Sequence, residues 1–152
     1  MAAQEQVALA RSLMDLYNNR HSDLAWVDKS VAAFATDCEV VNVASGSTFH
    51  GSEGYKRYIR FFVESFPDSC QTLSTEFATE DGVVLEGTYR RTNSGPPYLP
   101  SGALPATGHA GGVPVCHVYQ IRHGKIVSLH GYYDLTTLLE QFGLIAAAAE
   151  AT

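Results

Sequence analysis

Val7, Ala10, Leu13, Met14 and Tyr17 recur three and four positions apart. That spacing lays apolar side chains along one stripe of a helix and predicts one over residues 4–20. Leu24, Val27, Val31 and Phe34 repeat the period and predict a second helix. The pattern then changes: "CEVVNVAS" (38–45) is short and valine-rich, and reads as a strand. Helical spacing returns with Tyr55, Tyr58, Ile59, Phe62 and Phe66. Ser52 suits the N-cap of this third helix, Glu53 complements its dipole, and Pro67 ends it.

Strand signals dominate the rest. "QTLSTEFAT" (71–79) and "VVLEGTYRRT" (83–92) flank the turn "EDG", and "VPVCHVYQI" (113–121) and "KIVSLHGYY" (125–133) flank "RHG". "LTTLLEQFG" (135–143) predicts a short terminal helix ending at Gly143. Between the two hairpins runs "NSGPPYLPSGALPATGHAGG" (93–112), with four of the six prolines. A loop this long in a small domain reads as a lid over a pocket or as a plain surface excursion. Helices grouped before a four-strand antiparallel meander define an α+β domain. The expected architecture is a cone-shaped, curved, mainly antiparallel sheet with the N-terminal helices packed over its concave face. Such a concavity is a natural small-molecule site. One domain spans 1–145, and 146–152 read as a flexible tail.

Composition narrows the partners. The chain has 152 residues, 45% hydrophobic and 17% charged, enough apolar material for a core. Net charge is −6 and the longest basic run is within "YRR", which argues against nucleic acid. The opening "MAAQEQVALARSL" lacks the layout of a secretory signal, and no apolar run approaches the ~20 residues of a membrane span. The expectation is a cytoplasmic protein with no membrane partner. Cys38, Cys70 and Cys116 are odd in number and far apart, so neither a disulfide framework nor a zinc cluster is expected. The six histidines show no H-x-x-x-H or H-x-H spacing, so no metal is expected. Neither a G-x-S-x-G elbow nor a P-loop lysine-hydroxyl pair is present.

The motifs taken in order resemble the SnoaL-like polyketide cyclases, within the cone-shaped fold shared with ketosteroid isomerase and nuclear transport factor 2. "AAFATDCEVV" is similar to the family's lead into its first strand, and "FHGSEGYKRYIRFFVESFPD" to its G-x-E-G helix ending in F-P-D. "LEGTYRRT" resembles G-T-H-x-G with Tyr89 for the usual histidine, and "PATGH" resembles P-P-T-G-R with His109 for the basic residue. "VYQIRHGKIVSLHGYYD" with "LLEQFGL" resembles the closing strand pair and Q-L-G end. The likeness covers about Val7 to Leu144. It implies an intramolecular aldol-type ring closure without metal or cofactor, a homodimer, and an acid/base aspartate late in the chain, matched by Asp134. Asn42 falls where ketosteroid isomerase carries its catalytic aspartate. Asparagine is no general base, which argues against steroid-type isomerisation and leaves Asn42 as a hydrogen-bonding partner of substrate or as a strand terminator.

Asp134 lies where the alternating segment ends and the leucine-spaced one begins. It reads as a general acid/base at a pocket rim or as the N-cap of the following helix. A raised pKa in a closed pocket favours the first, and an exposed side chain the second. Alternation groups Ser128, His130, Tyr132 and Asp134 on one strand face, and Val115, His117, Tyr119 and Ile121 on another. If both faces meet the cone, His117 and Asp134 make a proton-handling pair. Asn42, His50, Tyr119, His130, Tyr132, Trp26 and Phe62 are the expected substrate-binding residues, with the aromatics stacking on a flat ligand. The function expected is a cofactor-independent enzyme of natural-product biosynthesis that closes or isomerises a ring in a hydrophobic, polyketide-like substrate. The alternatives are a non-catalytic small-molecule binder and an epoxide-hydrolase-like enzyme on the same fold.

Overall fold

A computed structural model describes residues 2–92, 98–99, 102–103, 108–141, 143 and 145–146. The chain opens with α1 (Ala3–Asn18), a 3-10 turn (Arg20–Ser22) and α2 (Trp26–Val31). β1 (Phe34–Asn42), β2 (Ser47–His50) and α3 (Gly51–Ser65) follow, then β3 (Cys70–Ala78) and β4 (Gly82–Thr92). β5 (Tyr98–Leu99) and β6 (Gly102–Ala103) pair with each other. β7 (Ala110–Arg122), β8 (Lys125–Tyr133) and α4 (Leu135–Gln141) complete it.

Six strands form one curved sheet in the order β2-β1-β8-β7-β4-β3. Every neighbouring pair is antiparallel except β1 with β8, which is parallel. The α+β class and the mainly antiparallel sheet are as expected. α1 packs against β3 and β4, and α3 against β1 and β2. Their apolar stripes cover one face of the sheet: Leu13 and Tyr17 from α1, and Tyr55, Tyr58 and Ile59 from α3, are all buried. Phe66, Val40, Cys38, Val113 and Ile126 are fully buried with them.

Five local expectations differ from the structure. The second helix is only six residues long, and Phe34, assigned to its stripe, instead opens β1. Phe34 pairs in register with Ile126 and stacks on Tyr55 at 4.4 Å between ring centroids, so strand pairing outweighs the helical period. Leu24, assigned to the same stripe, is fully exposed. A strand was not expected at Ser47–His50, yet β2 folds back on β1 with His50 opposite Glu39. α3 starts one residue before the expected Ser52 cap: Gly51 at φ +69°, a conformation that favours glycine, turns the chain directly from β2 into the helix. Most of the proline-rich segment 93–112 lies outside the described residues, and so do 147–152 of the tail; β7 begins earlier than expected, at Ala110.

Candidate functional site

Between the helical layer and the sheet lies a cavity of about 50 Å3. α1 supplies Leu13, Met14 and Tyr17, and α3 supplies Tyr55, Tyr58, Ile59 and Phe62. The sheet supplies Gln71, Tyr89, Val115, His117, Tyr119 and Tyr133, and Leu138 of α4 closes one side. Six of these residues are tyrosines, one is histidine, and none is a carboxylate.

His117, on β7, stands between Leu85 of β4 and Gly131 of β8. Its ring meets Tyr119 edge-on, with centroids 6.2 Å apart. Gly131 makes room for it. A side chain there would begin 2.7 Å from the Tyr58 hydroxyl and 3.7 Å from His117 Cδ2, so the missing Cβ lets phenol and imidazole approach one point on the strand. His117 keeps some accessible surface, but that surface faces the cavity rather than bulk water. Burial therefore pushes its pKa down to about 4, and the imidazole is neutral at neutral pH. Burial pushes the phenols the other way: Tyr55, Tyr58, Tyr89 and Tyr119 are all raised, as are Tyr17 and Tyr133. They keep their protons and remain hydrogen-bond donors.

Tyr133 is held by Asn42, whose Nδ2 donates to its hydroxyl at 3.2 Å. Asn42 is itself 4% exposed and accepts from the Ser45 amide, so it both ends β1 and fixes a cavity phenol. Phe62 lies edge-on to Tyr58, Tyr89 and Tyr133, at 5.2, 5.7 and 6.0 Å, and ties the two ends of the cavity together.

The structure thus brings His117, Tyr119 and Phe62 to the cavity, with Asn42 one hydrogen bond behind. The remaining expected residues lie elsewhere. Leu129 is 3% exposed and anchors β8 in the core, so strand alternation sends Gly131 and Tyr133 inward. His130 and Tyr132 therefore take the opposite face; Tyr132 is 41% exposed, and His130 sits between Val118 and Val41 on the outer side. The polar face of β8 is its outer face, a correction to the expected arrangement. His50 is exposed at the end of β2. Trp26 stands behind the cavity wall, edge-on to Tyr17 at 5.9 Å. Asp134 is exposed at the end of β8, and its carboxylate accepts from the Thr137 amide at 3.2 Å and the Thr137 hydroxyl at 2.8 Å. Those bonds cap α4 and hold the carboxyl below its ordinary range. His117 and Asp134 do not share a face of the cavity.

The sequence pattern did not mark Tyr17, Tyr55, Tyr58 and Tyr89 as cavity groups. The signal was present: helical stripes carrying phenols where leucine would serve a plain core better, because a buried hydroxyl needs a partner. Among the described residues, no group of three or more His, Cys, Asp or Glu is placed to hold a metal ion, and no helix is long and apolar enough to cross a membrane.

A family model described as SnoaL-like polyketide cyclase matches residues 8–142. Among curated proteins none matches. Several solved structures share the fold. A provisionally named SnoaL-like polyketide cyclase of Jannaschia sp. CCS1 is 16% identical, with a TM-score of 0.81 over 96% of this chain and 95% of that one. AclR of Streptomyces galilaeus, provisionally named a hydroxylase, is 18% identical, with a TM-score of 0.75 over 98% and 91%. A provisionally named polyketide cyclase of Xanthomonas campestris pv. campestris is 17% identical, with a TM-score of 0.76 over 92% and 98%.

Proposed function

The chain belongs to the SnoaL-like polyketide cyclase family, and from that premise we propose that it is an acid/base enzyme acting on a hydrophobic, oxygen-rich, polyketide-like molecule in this cavity. The observation that supports the reading is a largely apolar space whose titratable groups are one neutral imidazole and six protonated phenols, with the Gln71 amide beside them. A β-dicarbonyl carbon is acidic enough for a weak base when the resulting enolate is stabilised.

In the proposed reaction His117 takes the proton from a carbon between two carbonyls. The C–H electron pair moves into the enolate, whose oxygen accepts a hydrogen bond from a phenol; Tyr58 and Tyr119 are nearest to His117. The enolate carbon attacks a second carbonyl of the same molecule, forming the ring bond. The new alkoxide recovers the proton from the imidazolium, so no cofactor or co-reactant is consumed. In this reading Asp134 caps α4 and stays outside the chemistry. A space of about 50 Å3 holds a few waters, so in this reading side chains of the wall turn aside to admit a ring system.

Turnover of a panel of linear β-dicarbonyl compounds by wild type, His117→Gln and Asp134→Asn tests this, with Trp26 fluorescence reporting binding. His117→Gln is expected to lose about 100-fold or more in turnover with binding kept. Asp134→Asn, which still caps a helix, is expected to keep turnover. The opposite pattern would return the acid/base role to Asp134 and sink the assignment of His117. Binding by all three with turnover by none would favour a small-molecule receptor.

The same reading pairs two copies through the outer sheet face. Phe77, Val84, Val118, His130 and Val41 run in register across five strands there, and Phe77 is 65% exposed. Light scattering is expected to give twice the 16.5 kDa chain mass, and Phe77→Asp to return the monomer. A wild-type monomer at tens of micromolar would remove the dimer.

A further inference from the structure

The cavity's polar groups divide by whether the protein itself satisfies them. The hydroxyls of Tyr17, Tyr89 and Ser69 bond one another. The Tyr55 hydroxyl bonds Ser30, and Tyr133 is held by Asn42. His117, Tyr58 and Tyr119 are the groups the proposed reaction uses. One polar lining side chain remains, the amide of Gln71 on β3. Among the described residues, neither its Oε1 nor its Nε2 has a hydrogen-bond partner.

The backbone of Gln71, by contrast, is gripped. β3 is an edge strand of the sheet, so no further strand pairs with its outer side. At Gln71 the last residue of α1, Asn18, takes that place. Its Nδ2 donates to the Gln71 carbonyl at 2.8 Å, and its Oδ1 accepts from the Gln71 backbone N–H at 2.8 Å. The clasp holds Gln71 in register opposite Tyr89, which also lines the cavity. Alternation then turns the exposed Thr72 outward and the Gln71 side chain inward.

A carboxamide presents an acceptor and N–H donors side by side. The group that matches both at once is another amide edge. Among the described residues the lining holds no Lys, Arg, Asp or Glu, and His117 is neutral. Arg20, which donates to Ser69 Oγ behind this end, has the Asp68 carboxylate within electrostatic reach. A carboxylate ligand would therefore give up water without meeting a cation, and would set one of its oxygens against Gln71 Oε1. An ester would offer acceptors alone and leave Oε1 unpaired.

We propose that Gln71 is a specificity-determining residue that pairs with a carboxamide or lactam edge of the substrate, accepting from its N–H and donating to its C=O, and that Asn18 is the positioning residue that aims it. The inference rests on the reading that the cavity binds an oxygen-bearing apolar molecule, and it narrows that class. Gln71 is two strands across and four residues along from His117, through Tyr89 and Val113, roughly 16 Å between backbones. The amide edge is therefore at the end of the substrate away from the carbon that His117 deprotonates.

The probes are benzamide, methyl benzoate and benzoate, which share a ring and differ in that edge, with Trp26 fluorescence reading affinity. Wild type is expected to bind benzamide about tenfold or more tightly than either of the others. Gln71→Met, checked for native near-UV circular dichroism, is expected to lose that preference by weakening benzamide about tenfold while methyl benzoate binds as before. Asn18→Ala is expected to narrow the preference in the same way; a merely structural role would weaken benzamide and methyl benzoate alike. A wild type without the preference, or a Gln71→Met variant that keeps it, overturns the inference; turnover of β-dicarbonyls by that wild type leaves the cavity reading standing. A wild type that shows the preference but turns nothing over keeps the Gln71 pairing and sinks the reaction. A wild type that binds none of the probes and turns nothing over sinks both.

Discussion

Arg20→Met is expected to cost about 3–5 kcal/mol of folding stability. Methionine fills much of the same space but donates nothing. The substitution leaves three carbonyl oxygens, those of Tyr17, Pro67 and Ser69, without the guanidinium that now serves them. It also removes the cation stacked 4.4 Å over the Tyr17 ring. A buried unsatisfied group costs roughly 1–3 kcal/mol, and a domain of this size has about 5–15 kcal/mol in all. The expected result is a urea midpoint that falls sharply at unchanged m-value. Lysine is expected to recover only part of the loss, because one ammonium cannot span oxygens arranged for a planar fork. A loss below about 1 kcal/mol would mean that water, or His21 beside the Pro67 carbonyl, serves these oxygens in place of the guanidinium.

Lowering the pH through the histidine range is expected to remove up to about 3 kcal/mol through His117 alone. The sign follows from which state binds the proton more readily. In the folded chain the imidazole titrates at about 4; in the unfolded chain it titrates near 6.5. Between those values the unfolded state is protonated and the folded state is not, so acid favours unfolding. The contribution is constant above about pH 7, shrinks steadily from about pH 6.5 to 4, and levels off below. Water inside the cavity would reduce the magnitude without changing its sign. The check is the difference in unfolding free energy between pH 7 and pH 4.5 for wild type and His117→Gln. A variant that loses as much stability as wild type over that range would place the acid sensitivity in other groups.

The elements were largely legible because the pattern changes period cleanly. β8 coincides with "KIVSLHGYY", and β3, β4 and α1 differ from their sequence boundaries by one or two residues. Where sequence reading failed, tertiary pairing decided. Phe34 fits a helical stripe as well as a strand until Ile126 is beside it. The four residues of β2 carry no pattern long enough to detect. The site was less legible. Alternation told which residues of β8 share a face, but not which face meets the helices. The polar set looked functional, yet the core side is fixed by Leu129, so His130 and Tyr132 went outward. His117 was found because its neighbours on β7 are apolar. The cavity phenols are hard to single out from sequence because their hydroxyl partners, Ser69 for Tyr17 and Asn42 for Tyr133, are 52 and 91 residues away.

The lone parallel pair of the sheet also governs how the chain assembles. β1 has β2 on one side, but its other edge stays open until β8 arrives from the far end of the sequence. The Asn42–Tyr133 bond closes a loop of 91 residues. Such distant pairing gives a high contact order and slow folding. During synthesis the helices and first hairpin emerge early and wait with an unpaired, valine-bearing strand exposed. That interval is when two nascent chains are most prone to pair with each other instead. A chaperone that shields the β1 edge would then raise the yield of folded protein without altering its final stability.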